Sequence, residues 1–348
     1  MNSHAIDFLS EPRVTHESLP SKLTFAWLEI TQHCNLRCRH CYTSSSPTRP
    51  HNTINWASVI RQVYDEGCRQ IQFIGGEPLT HPQIREFVSL AYSLGFDFLE
   101  VFTNAALLDD ETATFLAAHR VNVATSFYST RADLHEYVTL TKGSFDDTIE
   151  GIRNAVASGL RLRVGVIDAS PDCETHDEKV AFLESEGVDR RMIGQDSVRP
   201  VGRGLKMSPF VSQFETLCGA CWNGKLAISY DGKCYPCIMS RDVVVGNVRE
   251  QSISEIVISR PLSNFRRDYG AHVLGSRDKD QVPGSSMCTP DCGPAAPCQP
   301  MGCTPSGDCT PYHCSPVQPN CGPNDSGCGP GDCYPNLCNP YNVCTPYK

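Results

Sequence analysis

The sequence predicts an α/β fold with a parallel sheet built from βα units. Short apolar runs recur at 25–30, 71–74, 96–102, 121–127 and 160–167, within a segment spanning 23–215. Between them lie stretches of helical periodicity at 56–66, 83–94, 111–119 and 145–158. Strands alternating with helices of that length pair in parallel, because each helix carries the chain back to the same edge of the sheet. Five or six such units are too few for a closed eight-fold barrel. Periodicity leaves a partial barrel and a doubly wound sheet both open.

The chain has 348 residues, enough for two domains or one barrel with an appendage. Its net charge is −9 and it has no Lys/Arg block, which argues against binding nucleic acid through phosphates. No apolar run is long enough to span a bilayer. The first seven residues lack the basic and apolar regions of a signal peptide. The expectation is a cytoplasmic protein whose thiols stay reduced. Of its twenty cysteines, nine lie in 1–285 and eleven in 286–348.

Cys34, Cys38 and Cys41 form a C-x3-C-x2-C run directly after the first predicted strand. Three thiolates so close together can grip one [4Fe–4S] cluster. Such a cluster normally takes four cysteines, so three leave one iron open to a non-protein ligand. The competing reading is a zinc knuckle. Gly75-Gly76-Glu77-Pro78 follows the second strand. Both motifs therefore fall at the C-terminal edge of the sheet, where barrel active sites assemble from βα loops. The two glycines permit a backbone that approaches a ligand closely, and Glu77 can accept a hydrogen bond from a ligand ammonium group.

The two motifs at this spacing resemble the radical S-adenosylmethionine (SAM) superfamily. The resemblance implies a partial (β/α)6, TIM-like barrel. It implies that Cys34, Cys38 and Cys41 are the catalytic cluster ligands, and that the open iron chelates SAM through its amino and carboxylate groups. The reduced cluster would then cleave SAM to a 5′-deoxyadenosyl radical that abstracts a substrate hydrogen. Gly75, Gly76, Glu77 and Pro78 would contact the SAM amino group. In Thr103-Asn104-Ala105, where many members have Thr-Asn-Gly, Asn104 would bind cofactor, and Ala105 argues against a close backbone approach. Ser126 would reach the ribose, and Arg163 the SAM carboxylate or ribose; ordinary strand-end polarity explains either equally. His40 stands where an aromatic residue is usual. In the segment 196–204, Arg199 would face the SAM pocket and Arg203 would be structural.

Cys218-x2-Cys221 and Cys234-x2-Cys237 are separated by twelve residues that read as strand, Asp231-Gly232 turn, strand. A hairpin with a CxxC at each end gathers four thiolates, and a zinc ribbon is the plain structural reading. The run also resembles the opening of a SPASM or twitch domain, which implies one or two auxiliary [4Fe–4S] clusters. Carried over by order, Cys303 would join Cys218, Cys221 and Cys237 on the first. Cys288, Cys292, Cys298 and Cys309 would hold the second. The alternative is one cluster on Cys218, Cys221, Cys234 and Cys237. The expected organisation is an N-terminal extension (1–22), a radical SAM core (23–215), an auxiliary domain (216–285) and an irregular Cys/Pro-rich tail (286–348).

In the tail every cysteine is followed, after one residue, by proline. The segment is almost free of Leu, Ile and Phe and has no means of burying a core. Cluster ligation, a metal reservoir and a substrate-binding arm all fit it.

Enzymes of this build mostly modify ribosomally made peptides, installing thioether or carbon–carbon cross-links. The expected partners are a precursor peptide and an electron donor such as flavodoxin or ferredoxin, with neither nucleic acid nor membrane. Formylglycine-forming maturases share the domain but place an Asp directly after the position of Cys237; here it is Ile238. The alternative substrate is a sugar or aminocyclitol that is dehydrogenated or epimerised. A non-catalytic metal-binding protein on a degenerate barrel is the third reading.

Overall fold

The computed structural model describes residues 22–50, 54–170, 174–208, 214 and 216–277. The tail, with Cys288, Cys292, Cys298, Cys303 and Cys309, lies outside the described residues.

Six parallel strands carry the core. They are β1 (Phe25–Thr31), β2 (Gln70–Gly75), β3 (Phe98–Phe102), β4 (Asn122–Phe127), β5 (Leu162–Asp168) and β6 (Ile193–Ser197). Helices connect them: α1 (Trp56–Asp65), α2 (Ile84–Leu94), α3 (Asp110–Ala118), α4 (Ala132–Thr139), α5 (Ser144–Ala157) and α6 (His176–Ser185). The order β6-β5-β4-β3-β2-β1 then continues into β7 (Lys225–Ile228), β8 (Lys233–Tyr235) and β9 (Gly246–Asn247). Nothing among the described residues pairs β6 with β9, so the sheet is an unclosed partial barrel.

Strand alternation divides the sheet into two faces. Ala26, Leu28 and Ile30 of β1 pack with Trp56, Ile60, Phe87 and Ile152 from the helices. Phe25 and Trp27 point the other way, into a second cluster with Ile74, Leu217, Cys221, Tyr235 and Cys237. This second, inner face also carries α7 (Arg260–Arg277) through Phe265 and Tyr269.

The predicted hairpin forms, with Ala227 opposite Tyr235 and Gly232 in the left-handed region at φ +94°. Its place differs from the separate auxiliary unit expected from sequence. β7 pairs parallel to β1, placing Ala26 opposite Leu226, so the auxiliary segment continues the core sheet. The apolar strand Lys225–Ile228, fully buried, covers the β1 edge that would otherwise expose a row of backbone donors and acceptors.

Candidate active site at the C-terminal edge

Four separate segments build the loop that carries Cys34, Cys38 and Cys41. The first is the Gly-Gly-Glu-Pro turn. Gly76 N donates to Thr31 O at 2.7 Å and Glu77 N to His33 O at 2.8 Å. A Cβ on Gly75 would sit 2.3 Å from Thr31 O, and one on Gly76 2.1 Å from His33 O. The glycines are required for this contact between two stretches of the chain, so ligand approach is not needed to explain them.

Glu77 departs from its expected role. Its side chain is wholly buried and its carboxylate accepts from Thr103 Oγ1 (2.7 Å), Asn104 N (2.7 Å) and Leu79 N (3.0 Å). It ties the β2 turn to the end of β3, with Pro78 starting the short helix Pro78–Thr80. Burial pushes Glu77 up to about 7, and the three donors offset part of that rise.

Asn104 is the second support: Nδ2 donates to Asn35 Oδ1 at 2.7 Å and lies 3.8 Å from Cys34 Sγ. Ala105 adopts φ +64°, the left-handed conformation that glycine adopts freely. The close backbone approach argued against from sequence is present, and Gly151 of α5 provides it: a Cβ there would fall 2.0 Å from Ala105 O.

The third support is the end of α4, where Arg37 N donates to Thr139 O (3.1 Å) and Arg39 N to Val138 O (2.9 Å). The fourth is the segment after β6. Arg203 donates through Nε to Cys38 O (2.8 Å) and through Nη1 to Ser45 O (2.8 Å). Gly202, at φ +59°, leaves no room for a Cβ, which would lie 2.2 Å from Tyr42 O. The structural role expected for Arg203 is what the structure shows. Arg199 donates to Thr216 O at 3.0 Å and to Asp196 Oδ1 at 3.3 Å.

Two of the thiols have a polar contact two residues along the chain: Leu36 N donates to Cys34 Sγ at 3.4 Å, and Thr43 Oγ1 lies 3.5 Å from Cys41 Sγ. Tyr128 is buried beside the loop, and Ser126 lies on the inner side of β4, opposite to Phe127. Burial, then the Cys41 thiol beside it, push Cys38 up to about 12; burial raises Cys34 as well. Thiols this reluctant to ionise alone become thiolates beside a bound cation, as the donor set of an iron–sulfur cluster requires. His40 is held neutral by burial, which lowers it to about 4, and packs edge-on against Tyr128 with ring centroids 5.1 Å apart. It fills the position of the usual aromatic residue as an uncharged ring.

Arg163 is not brought to this edge. It is the second residue of β5, at the N-terminal half of the sheet. It forks onto Glu100 of β3 at 2.8 and 2.6 Å, and Gln72 of β2 donates to the same carboxylate at 2.5 Å. Glu100 is buried and requires a cation partner there, which removes Arg163 from the expected contact with SAM.

In the auxiliary segment Cys218 and Cys221 Sγ lie 3.8 Å apart, and Cys221 and Cys237 are buried in the same inner cluster. Gly219 N donates to Tyr269 Oη at 2.8 Å and fixes the turn between the first two. Cys234 does not join them. It alternates with Tyr235 on β8, so its side chain enters the helix-side core while Tyr235 enters the inner one. The structure brings together Cys218, Cys221 and Cys237 of the four expected thiols and turns Cys234 to the other face. Among the described residues no three His, Cys, Asp or Glu side chains converge as a single ion would need. Cluster ligands each bind a different iron and need not converge so tightly.

Comparison with known proteins agrees with this geometry. The family model described as the radical SAM superfamily matches residues 28–172, and the SPASM iron–sulfur cluster-binding domain matches 218–293. The chain thus carries a radical SAM domain followed by a SPASM domain. It therefore works with SAM and [4Fe–4S] clusters. The antilisterial bacteriocin subtilosin biosynthesis protein AlbA of Bacillus subtilis is 25% identical over 304 residues, which cover 78% of this chain and 66% of AlbA. A GTP 3′,8-cyclase of Chlorobaculum tepidum is 35% identical over 182 residues, 48% of this chain and 54% of the cyclase. Among solved structures, Streptococcus suis SuiB bound to its precursor peptide SuiA superposes with a TM-score of 0.61 at 16% identity, covering 77% of this chain and 74% of SuiB. That likeness is one of fold. No helix among the described residues is long and apolar enough to cross a membrane.

Proposed function

We propose that this chain oxidatively modifies or cross-links a ribosomally made peptide. The observation that carries the reading is the similarity to AlbA, a bacteriocin biosynthesis protein, over 78% of the chain. Cys34, Cys38 and Cys41 would hold the SAM-binding cluster, and Cys218, Cys221 and Cys237 an auxiliary one. The SPASM match runs through Cys288 and Cys292, which makes the tail the natural source of further ligands. When bound, the reduced cluster and SAM supply a 5′-deoxyadenosyl radical that removes a hydrogen atom from substrate. The chain's own contribution is positional. Asn104 and the Gly75-Gly76 backbone line the edge where SAM would lie, Ser126 and Tyr128 close its inner side, and Arg203 fixes the ligand loop. A cytoplasmic location and a flavodoxin or ferredoxin donor belong to the same reading.

A nucleotide substrate is the second reading, favoured by the GTP 3′,8-cyclase relatives. The test is anaerobic incubation of the reconstituted protein with SAM, reductant and a short peptide encoded beside it. The expected result is 5′-deoxyadenosine together with a peptide lighter by two hydrogens per cross-link. 5′-Deoxyadenosine formed only when GTP or a sugar is supplied, with the peptide unchanged, would overturn the peptide reading.

A further inference from the structure

One side chain touches both cysteine loops. Arg241 lies four residues beyond Cys237. Its Nε donates at 2.8 Å to the carbonyl of Ile238, the residue that follows Cys237. Its two Nη atoms fork onto Glu29 of β1, Nη1 reaching Oε2 at 2.8 Å. The guanidinium carbon lies 5.1 Å from the ring centre of Tyr42, next to Cys41, and 5.2 Å from that of Tyr235, two residues before Cys237. Ser229 Oγ is a further neighbour at 3.4 Å.

Glu29 has no solvent exposure. A carboxylate so placed is costly unless a cation meets it, and removing one partner of such a pair leaves an uncompensated buried charge. The core sheet therefore contains a charge that a residue of the auxiliary segment compensates. The guanidinium end of the Arg241–Glu29 pair faces Tyr42 of the core loop and Tyr235 of the auxiliary segment, and a positive end directed at both segments favours the more reduced, more negative state of any cluster held there.

We propose that Arg241, anchored by Glu29, is a positioning residue that sets the reduction potentials of the core and auxiliary centres together. The inference goes beyond the peptide reading and holds for any substrate. The experiment uses full-length, anaerobically reconstituted protein and compares Arg241→Met, Arg241→Lys and Glu29→Gln with the parent. The readouts are iron and sulfide per chain and an EPR-monitored redox titration of each centre. Arg241→Met should keep its iron and shift both midpoint potentials to more negative values. Arg241→Lys, which keeps the charge and loses the fork, should shift both less in the same direction. Glu29→Gln, which leaves the cation uncompensated, should shift both to more positive values. Unchanged potentials, or a shift confined to one centre, would overturn the proposal. Should Arg241→Met fail to fold, Arg241→Lys and Glu29→Gln decide by the same criteria.

Discussion

The two cysteine sites are built in opposite ways. The core loop is held from four directions by hydrogen bonds within the chain: the Gly75-Gly76 turn, the Asn104 side chain, the end of α4 and the Arg203 guanidinium. The auxiliary site has three thiols gathered by one turn and one hairpin, with Cys234 facing the other way. A loop that must present an open iron to SAM needs a geometry fixed by the protein. A centre completed from a distant part of the chain can be closed by its ligands on binding, as metal binding and folding are coupled.

The largest effect should come from breaking the core support. Gly76→Ala places a methyl 2.1 Å from His33 O and 2.9 Å from the Gln32 carbonyl carbon, contacts only backbone movement can relieve. We expect loss of the core iron and of SAM cleavage, with destabilisation of about 3 kcal/mol or more. Retained auxiliary iron in the same preparation would separate the two sites. Wild-type iron and SAM cleavage would contradict the bracing role.

The auxiliary site is sharpened by a pair of variants. Cys237→Ala should lower iron and sulfide at that centre, and Cys234→Ala should leave both at the parent level. Equal iron loss in the two would restore the four-cysteine hairpin set.

Much of this was legible in the sequence. The C-x3-C-x2-C run, the Gly-Gly-Glu-Pro turn and the Asp231-Gly232 hairpin stand where their spacing put them. What sequence missed has physical reasons. β6 reads Ile193-Gly194-Gln195-Asp196-Ser197, so an edge strand gave no apolar run to detect. Arg163 on a strand looks like a ligand contact until Glu100, 63 positions away, is seen to claim it. Cys234 belongs to a CxxC by spacing, yet strand alternation sends it to the other core. The join of β7 to β1 pairs residues about 200 apart and has no local signature. The contacts of Leu36 N with Cys34 Sγ and of Thr43 with Cys41 Sγ are local, two residues along the chain, whereas the packing of Tyr128 on His40 comes from tertiary placement.

Smaller effects fall away from both sites. His135 of α4 is wholly buried beside Tyr128 and Phe127, at ring-centroid distances of 5.1 and 5.9 Å. Burial lowers it to about 4, from the ordinary 6.5. The fold keeps the ring neutral, so its stability is undiminished above about pH 6.5. Between there and about pH 4 the unfolded chain takes up a proton the folded chain refuses, and stability falls as pH falls, by at most roughly 3 kcal/mol. Denaturant unfolding at pH 7 and pH 5 should show a smaller difference for His135→Phe than for the parent; an equal difference would assign the pH dependence to other groups. The smallest effect belongs to Ala105→Gly. Relief of the left-handed conformation and the added freedom of the unfolded chain oppose each other, leaving a stabilisation of at most about 1 kcal/mol in the same assay. Clear destabilisation would show that the buried methyl contributes more than its backbone costs.

The central claim is that one sheet presents two independent iron–sulfur centres, the first on Cys34, Cys38 and Cys41. The most direct test is iron and sulfide per chain, after anaerobic reconstitution, in the parent and in the variant with Cys34→Ala, Cys38→Ala and Cys41→Ala together. The account predicts a loss of about four irons, one [4Fe–4S] unit, with the auxiliary iron retained and SAM cleavage abolished. Complete loss of iron, or iron unchanged with SAM cleavage intact, would contradict it.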